Sequence, residues 1–178
     1  MTDPETGMSD EQLMALGELA YWSGQAEAGV RYFVELLIKG TAGEVIARGR
    51  SFTEMLDLMH RLHTTRPEFA SLATYIEEDI VRLRKAMDMR NVMLHGFWDS
   101  AEVPSGSLLS VRVNRRHGVH SMENLTAGHI HAAAQQLADA CTFQFNTFFD
   151  AQAIEAGYGI SERADPFVER PPSNFDHD

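Results

Sequence analysis

Three residues near the middle of the chain have side chains suited to phosphate chemistry: Arg90, Asn91 and His95. Arginine stays charged and can bind two phosphate oxygens at once. Histidine titrates near neutrality and can accept or donate a proton, while an asparagine can orient the phosphate or the imidazole. Cleavage of a phosphate ester by side chains alone needs a base, an acid and positive charge at the phosphorus. One histidine does not easily supply both the acid and the base.

A long amphipathic helix over about residues 66–95 is predicted to position this set. Its apolar residues recur at steps of three and four and fall on one stripe: Phe69, Leu72, Ile76, Ile80, Leu83 and Met87. Arg90 continues the stripe, Asn91 and His95 lie at its edge, and Gly96 ends the helix. Because a charge removed from water needs a partner, the simplest alternative is structural: a buried carboxylate pairs with Arg90, and a carbonyl binds His95.

Other helices are predicted from their end signals. Capping boxes, in which two residues three positions apart bond each other's backbone, mark three helix starts: Ser9 with Gln12, Ser51 with Glu54, and Thr65 with Glu68. The first helix is predicted to kink or make a close contact at Gly24 and to end at Gly40, and residues 40–50 are interpreted as a loop. The last helix has two candidate residues at each end: Asn124 or Thr126 at its start, and Gly157 or Gly159 at its end.

The segment between the third and last helices differs from the rest. Residues 97–121 have β character interrupted by turn residues, which predicts a small antiparallel hairpin or a three-stranded meander. We therefore predict an all-α fold, a four-helix up-and-down bundle with a small β-hairpin insertion between the third and fourth helices. The predicted boundaries are a disordered N-terminus at 1–8, a helical bundle domain at 9–160 and a flexible acidic tail at 161–178.

Charge and composition limit the expected partners. The 178 residues carry a formal net charge of −11, whereas tight nonspecific binding of nucleic acid needs a basic surface. A local site for RNA remains compatible with this charge. No apolar run approaches the roughly 20 residues that span a bilayer, and no signal-peptide pattern is present, so we expect a cytoplasmic protein with no membrane partner. The single cysteine, Cys141, excludes an internal disulfide, and its apolar surroundings predict a packed core residue.

Pairs of histidines raise the question of a metal site. Three pairs lie close in the sequence: His60 with His63, His117 with His120, and His129 with His131. The first two have a spacing that can begin a metal site, but no third ligand is evident; the last two are two apart on a helix and point in different directions. No glycine-rich phosphate loop occurs. The sequence therefore predicts no metal and no cofactor.

The segment Arg90-Asn91-Val92-Met93-Leu94-His95 resembles the signature of the HEPN superfamily. In that family an arginine, usually followed by a polar residue, precedes a histidine near the end of the third helix of a four-helix bundle. Gly96 and Trp98 extend the resemblance to the pattern Arg-Asn-x-x-x-His-Gly-x-Trp. The similarly spaced pairs Arg112–His117 and Arg115–His120 lie in the β or turn segment and carry no such resemblance.

The resemblance implies a metal-independent endoribonuclease of the HEPN type, with Arg90, Asn91 and His95 as catalytic residues. Such ribonucleases are typically homodimers that bring two copies of the motif into one cleft, so a composite site at a homodimer interface is expected. RNA is then the expected substrate, a toxin or phage-defence component the expected role, and an antitoxin a candidate partner protein. The alternative is a non-catalytic HEPN-like binding or scaffold module, which the acidic charge favours.

Overall fold

The computed structural model describes residues 8–39, 41–95, 97–99, 107–114 and 118–158, with the backbone alone for Thr41, His95 and the strands before Thr126. Its α-helices are α1 (Asp10–Ile38), α2 (Thr41–Ala47), α3 (Phe52–His63), α4 (Ala73–His95) and α5 (Ala127–Glu155), and a 3-10 helix spans Pro67–Leu72. The strands are β1 (Phe97–Asp99), β2 (Ser107–Asn114) and β3 (Gly118–Thr126). The described chain is predominantly helical, as the sequence predicted.

One apolar core joins the four longer helices. All six residues of the predicted stripe before Arg90 are buried: Phe69, Leu72, Ile76, Ile80, Leu83 and Met87. The last four confirm the α-helical period in α4, but the first two lie in the 3-10 helix, so the α-helix predicted from about residue 66 begins only at Ala73. Helix α1 packs along α5, α4 packs on α5, and α3 packs on both α1 and α4. Because each helix buries an apolar stripe against the others, the ends of α3 and α4 are fixed relative to one another.

Side-chain caps start α1, α3 and α5 as predicted. Ser9 and Gln12 form a reciprocal capping box, as do Ser51 and Glu54. Of the two candidate caps for α5, Asn124 and Thr126, the cap is Thr126, whose hydroxyl oxygen accepts a hydrogen bond from the His129 N–H at 3.3 Å. The helix ends at Glu155 and Gly157 follows with a positive φ of 82°, so the prediction that Gly157 terminates it is confirmed. The predicted end residues Gly40, Gly96 and Gly159 lie outside the described residues.

Two local predictions are wrong, and one of the two alternatives at Gly24 is wrong as well. Residues 41–47 form helix α2 instead of a loop, because Ala47 is buried and Gly43 lies close to the backbone of α1. Thr65 caps no helix: its hydroxyl donates to the Leu62 carbonyl at 2.7 Å, and the 3-10 helix that follows begins at Pro67 without a side-chain cap. The close contact predicted at Gly24 is absent, because a Cβ added there would meet nothing within 4 Å in the described part of the chain; the alternative of a kink stays a prediction.

The strands connect α4 to α5. They form an antiparallel sheet in the order β1–β2–β3, with Phe97 opposite Val111 and Leu108 opposite Leu125. The register between β2 and β3 shifts at Arg112 and Val113. The predicted N-terminus at 1–8, apart from Met8, and the predicted tail at 161–178 lie outside the described residues. Over the ranges described above, no helix has the length and apolar character needed to cross a bilayer.

Candidate functional site

Arg90 lies near the end of α4 and is only half-buried, although it continues the apolar stripe. Its Nε–H donates to Ser23 Oγ at 3.1 Å, and its Nη1 donates to Asn91 Oδ1 at 3.0 Å. Ser23 is buried in α1, and its own hydroxyl donates to the Leu19 carbonyl at 2.7 Å. The serine oxygen is therefore turned to accept from Arg90. These two acceptors are uncharged side chains that orient the guanidinium.

A cavity of about 210 Å³ lies beside this pair, between α1, α3 and α4. Its polar and charged lining comes from all three helices and their ends: Glu27, Ser51, Thr53, Arg84, Asp88, Arg90 and Asn91. Phe52, Leu56 and Met87 supply the apolar wall. The stripe of α4 therefore changes character at its end, from a packed core face to one wall of a polar cavity.

The start of α3 forms part of the cavity wall. The N–H of Ser51 donates to Glu54 Oε2 at 2.8 Å, the Ser51 hydroxyl also donates to Oε2 at 2.8 Å, and the Glu54 N–H donates back to Ser51 Oγ at 3.3 Å. The backbone hydrogen bond from Ser51, followed by its hydroxyl, lowers the pKa of Glu54 below its ordinary value. The N-terminal end of α3, where the helix dipole is positive, therefore lines the same cavity as Arg90.

The cavity carries charges of both signs. Arg84 contributes a second guanidinium, which pairs with Asp57 of α3 at 2.8 Å, and Glu27 and Asp88 contribute carboxylates. A cavity with an oriented arginine and a helix N-terminus can attract an anionic group. The two carboxylates, Glu27 and Asp88, oppose that attraction.

The structure brings together two of the three predicted site residues. Arg90 and Asn91 are neighbours through a hydrogen bond and line the same cavity. The backbone of His95 ends α4, but its side chain lies outside the described residues. His95 follows Asn91 by four positions, so the two positions share one face of the helix.

A second polar cluster, of which the sequence predicted only the two histidines, lies between α3 and α4. His60 Nδ1 is 2.7 Å from Glu77 Oε1, and His63 Nε2 is 2.5 Å from the same oxygen. Glu77 is the third potential ligand that was not evident from the sequence. It belongs to a different helix, so only the packing of α4 on α3 places it beside the histidines. No helical spacing within either segment could have identified it.

Among the other residues whose side chains are described, neither Cys141 nor the histidines His129 and His131 extend the His60–His63–Glu77 cluster. His131 pairs with Glu18 on the surface at 2.8 Å, and the backbone of His120 lies in β3 while His117 lies outside the described residues. Cys141 is fully buried, its thiol contacts the Trp22 carbonyl at 3.6 Å, and burial raises the pKa of Cys141 to about 12. The prediction that Cys141 is a core residue is confirmed.

Taken together, fold and cavity describe a helical bundle in which an arginine–asparagine pair at the end of one helix faces a mixed-charge cavity. Comparison of the chain with protein-family models, with curated proteins and with solved structures finds no match.

Proposed function

We propose that the protein is a metal-independent endoribonuclease of the HEPN type, built on an up-and-down four-helix bundle with a β insertion between its last two long helices. Arg90 binds the scissile phosphate, Asn91 orients it and His95 transfers a proton. Two copies of the chain supply two histidines across a homodimer interface, one as base and one as acid. The expected setting is a toxin or phage-defence system in the cytoplasm, with an antitoxin as the partner that restrains the nuclease.

The orientation of Arg90 beside a cavity is the observation that carries this proposal. A guanidinium fixed by Ser23 and Asn91 needs little rearrangement when charge develops on a phosphate. Such preorganised positive charge is worth most where water is partly excluded, as at this half-buried position. Arg90 also lines a cavity of about 210 Å³ together with Asn91, and this position at a cavity supports a binding role.

The proposed reaction needs no metal. One His95 imidazole takes the proton from the ribose 2′-hydroxyl, and the 2′-oxygen attacks the adjacent phosphorus. The bond to the 5′-oxygen of the next nucleotide breaks, and the second His95, as imidazolium, protonates that oxygen. The products are a 2′,3′-cyclic phosphate and a 5′-hydroxyl, and the two histidines exchange protonation states.

The test is cleavage of single-stranded RNA by the purified, untagged protein in EDTA. His95→Ala should reduce the rate by about 10²- to 10⁴-fold, the range that general acid–base groups contribute, and Arg90→Lys should also impair cleavage because lysine lacks the fork. His131→Ala is the matched control, since His131 is a surface histidine paired with Glu18. Full activity of a folded His95→Ala protein, or products with 5′-phosphates, would refute the proposal.

A non-catalytic binding or scaffold module is the second candidate, and specific charges favour it. The net charge is −11, and Glu27 and Asp88 line the same cavity as Arg90. In a scaffold, Arg90→Ala would change the unfolding midpoint or the dimer dissociation constant, and no RNA turnover would exist to be lost. Light scattering together with the cleavage assay separates the two candidates, because the enzyme requires both a dimer and product formation.

A further inference from the structure

We propose that His60, His63 and Glu77 form a binding site for a zinc-like divalent transition-metal ion between α3 and α4. The site is separate from the Arg90 cavity. Glu77 precedes Arg90 by 13 residues on α4, which corresponds to roughly 20 Å along the helix axis. The proposed metal site therefore does not depend on the proposed ribonuclease function.

The donor atoms converge on one point from two helices. His60 and His63 are three residues apart, so their rings leave the same face of α3. His60 Nδ1, His63 Nε2 and a Glu77 oxygen all lie within 4.8 Å of one another. Tetrahedral zinc with bonds of about 2.0–2.1 Å places its donors roughly 3.3 Å apart. The two His–Glu distances of 2.7 and 2.5 Å would therefore open by less than about 1 Å to admit an ion.

Burial differs among the three groups in a way that suits a metal site. The His63 side chain is 5% exposed, whereas His60 is 57% and Glu77 42% exposed. His63 is therefore a fixed ligand, and the other two can rotate to receive an ion from solvent.

The ligand types select among cations. Two imidazoles and one carboxylate suit zinc and its neighbours in the first transition series, whereas magnesium and calcium prefer sites made of oxygen. Three protein ligands leave the fourth position of a tetrahedral zinc open to water or another ligand. Without a metal, the same Glu77 oxygen accepts hydrogen bonds from both imidazoles, so a proton-bridged triad is the competing explanation.

Metal binding distinguishes these two explanations directly. Full-length protein without an affinity tag is stripped with EDTA, dialysed, and titrated with Zn²⁺ by calorimetry and with Co²⁺ by visible absorption. The proposal predicts one strong site per chain, a cobalt spectrum of low coordination number, and a melting temperature that rises with zinc concentration. Mg²⁺ and Ca²⁺ should not compete at similar concentrations.

Two variants test the ligands, and a third is the control. Glu77→Gln keeps the size of the side chain, and His60→Ala changes an exposed position, so both should fold. Each should weaken Zn²⁺ binding by at least about 100-fold, since loss of even an outer-shell partner costs 10- to 100-fold. His131→Ala should bind like the wild type. Absence of strong Zn²⁺ binding to the wild type, or undiminished binding to Glu77→Gln, would overturn the proposal in favour of a proton-bridged triad.

Discussion

Gly29 of α1 allows a test of the packing between α1 and α5, because two other glycines of the same helix serve as controls. A Cβ added to Gly29 would lie 2.5 Å from Gln144 Oε1 and 3.0 Å from both Cδ and Nε2 of that side chain. Gln144 is fully buried in α5, and its amide makes no hydrogen bond within the described part of the chain. In contrast, Cβ atoms added to Gly17 and Gly24 of the same helix would meet nothing within 4 Å.

Replacing glycine by alanine is expected to stabilise the protein at Gly17 and Gly24 but not at Gly29. Replacing glycine by alanine inside a helix gains about 1 kcal/mol from backbone entropy and propensity. Gly17→Ala and Gly24→Ala should gain most of that. Gly29→Ala should gain it too, but forcing a methyl group into a filled core costs about 1–3 kcal/mol. The variant should therefore be neutral to about 2 kcal/mol less stable than the wild type, and roughly 1–3 kcal/mol below Gly24→Ala.

Urea unfolding followed by circular dichroism measures these differences, and melting temperatures should shift by about 2–4 °C per kcal/mol for a chain of this size. A double-mutant cycle with Gln144→Ala isolates the contact. Truncating Gln144 removes the atoms that the added methyl group would strike, so Gly29→Ala should be tolerated better in that background, with a coupling on the order of 1 kcal/mol or more. If Gly29→Ala stabilises the protein as much as Gly24→Ala does, the result would refute the close packing of Gln144 against Gly29.

Two further predictions follow from shifted pKa values. Because burial raises the pKa of Cys141 to about 12, a thiol reagent at pH 8 should label it only after denaturation; rapid labelling of native protein would contradict its burial. The lowered pKa of Glu54 means that its capping contribution is present above the ordinary carboxyl value of about 4.3 and is lost as pH falls through the lower folded value. In an NMR titration, Ser51→Ala should raise that pKa only part of the way, because the backbone donor remains; an unchanged pKa would contradict the reciprocal cap.

The sequence predicted those parts of the fold that depend on local pattern. The apolar period of α4 and the caps at Ser9, Ser51 and Thr126 involve residues within one or two helical turns. The apolar period follows from the repeat of side-chain directions along a helix, and the caps follow from hydrogen bonds between residues three positions apart. Both can be recognised from the residue types alone. The capping prediction at Thr65 failed because Thr65 belongs to the turn after α3, where its N–H and its hydroxyl both donate to the Leu62 carbonyl, and the next helix begins only at Pro67.

The sequence identified candidate residues of both sites, but it did not identify their partners on other helices. The position of Arg90 in an apolar stripe indicated that it needs a partner, but not that Ser23, 67 residues earlier, supplies one. Likewise, the pair His60–His63 indicated a partial metal site without revealing Glu77. Both partners come from other helices, so they depend on how the helices pack, which is determined by the whole core.

The contacts between α3 and α4 connect these two sites. Ser51 shares a cavity with Arg90, Asp57 pairs with Arg84, and His63 contacts Glu77. Since later residues of α3 meet earlier residues of α4, the two helices run antiparallel, with the cavity near one end of the contact and the His–Glu cluster near the other. The exposed Asp57–Arg84 pair contributes about 0–1 kcal/mol at most. The alignment of the cavity walls therefore depends chiefly on core packing, and a metal at the far end would stabilise that alignment without taking part in phosphate chemistry.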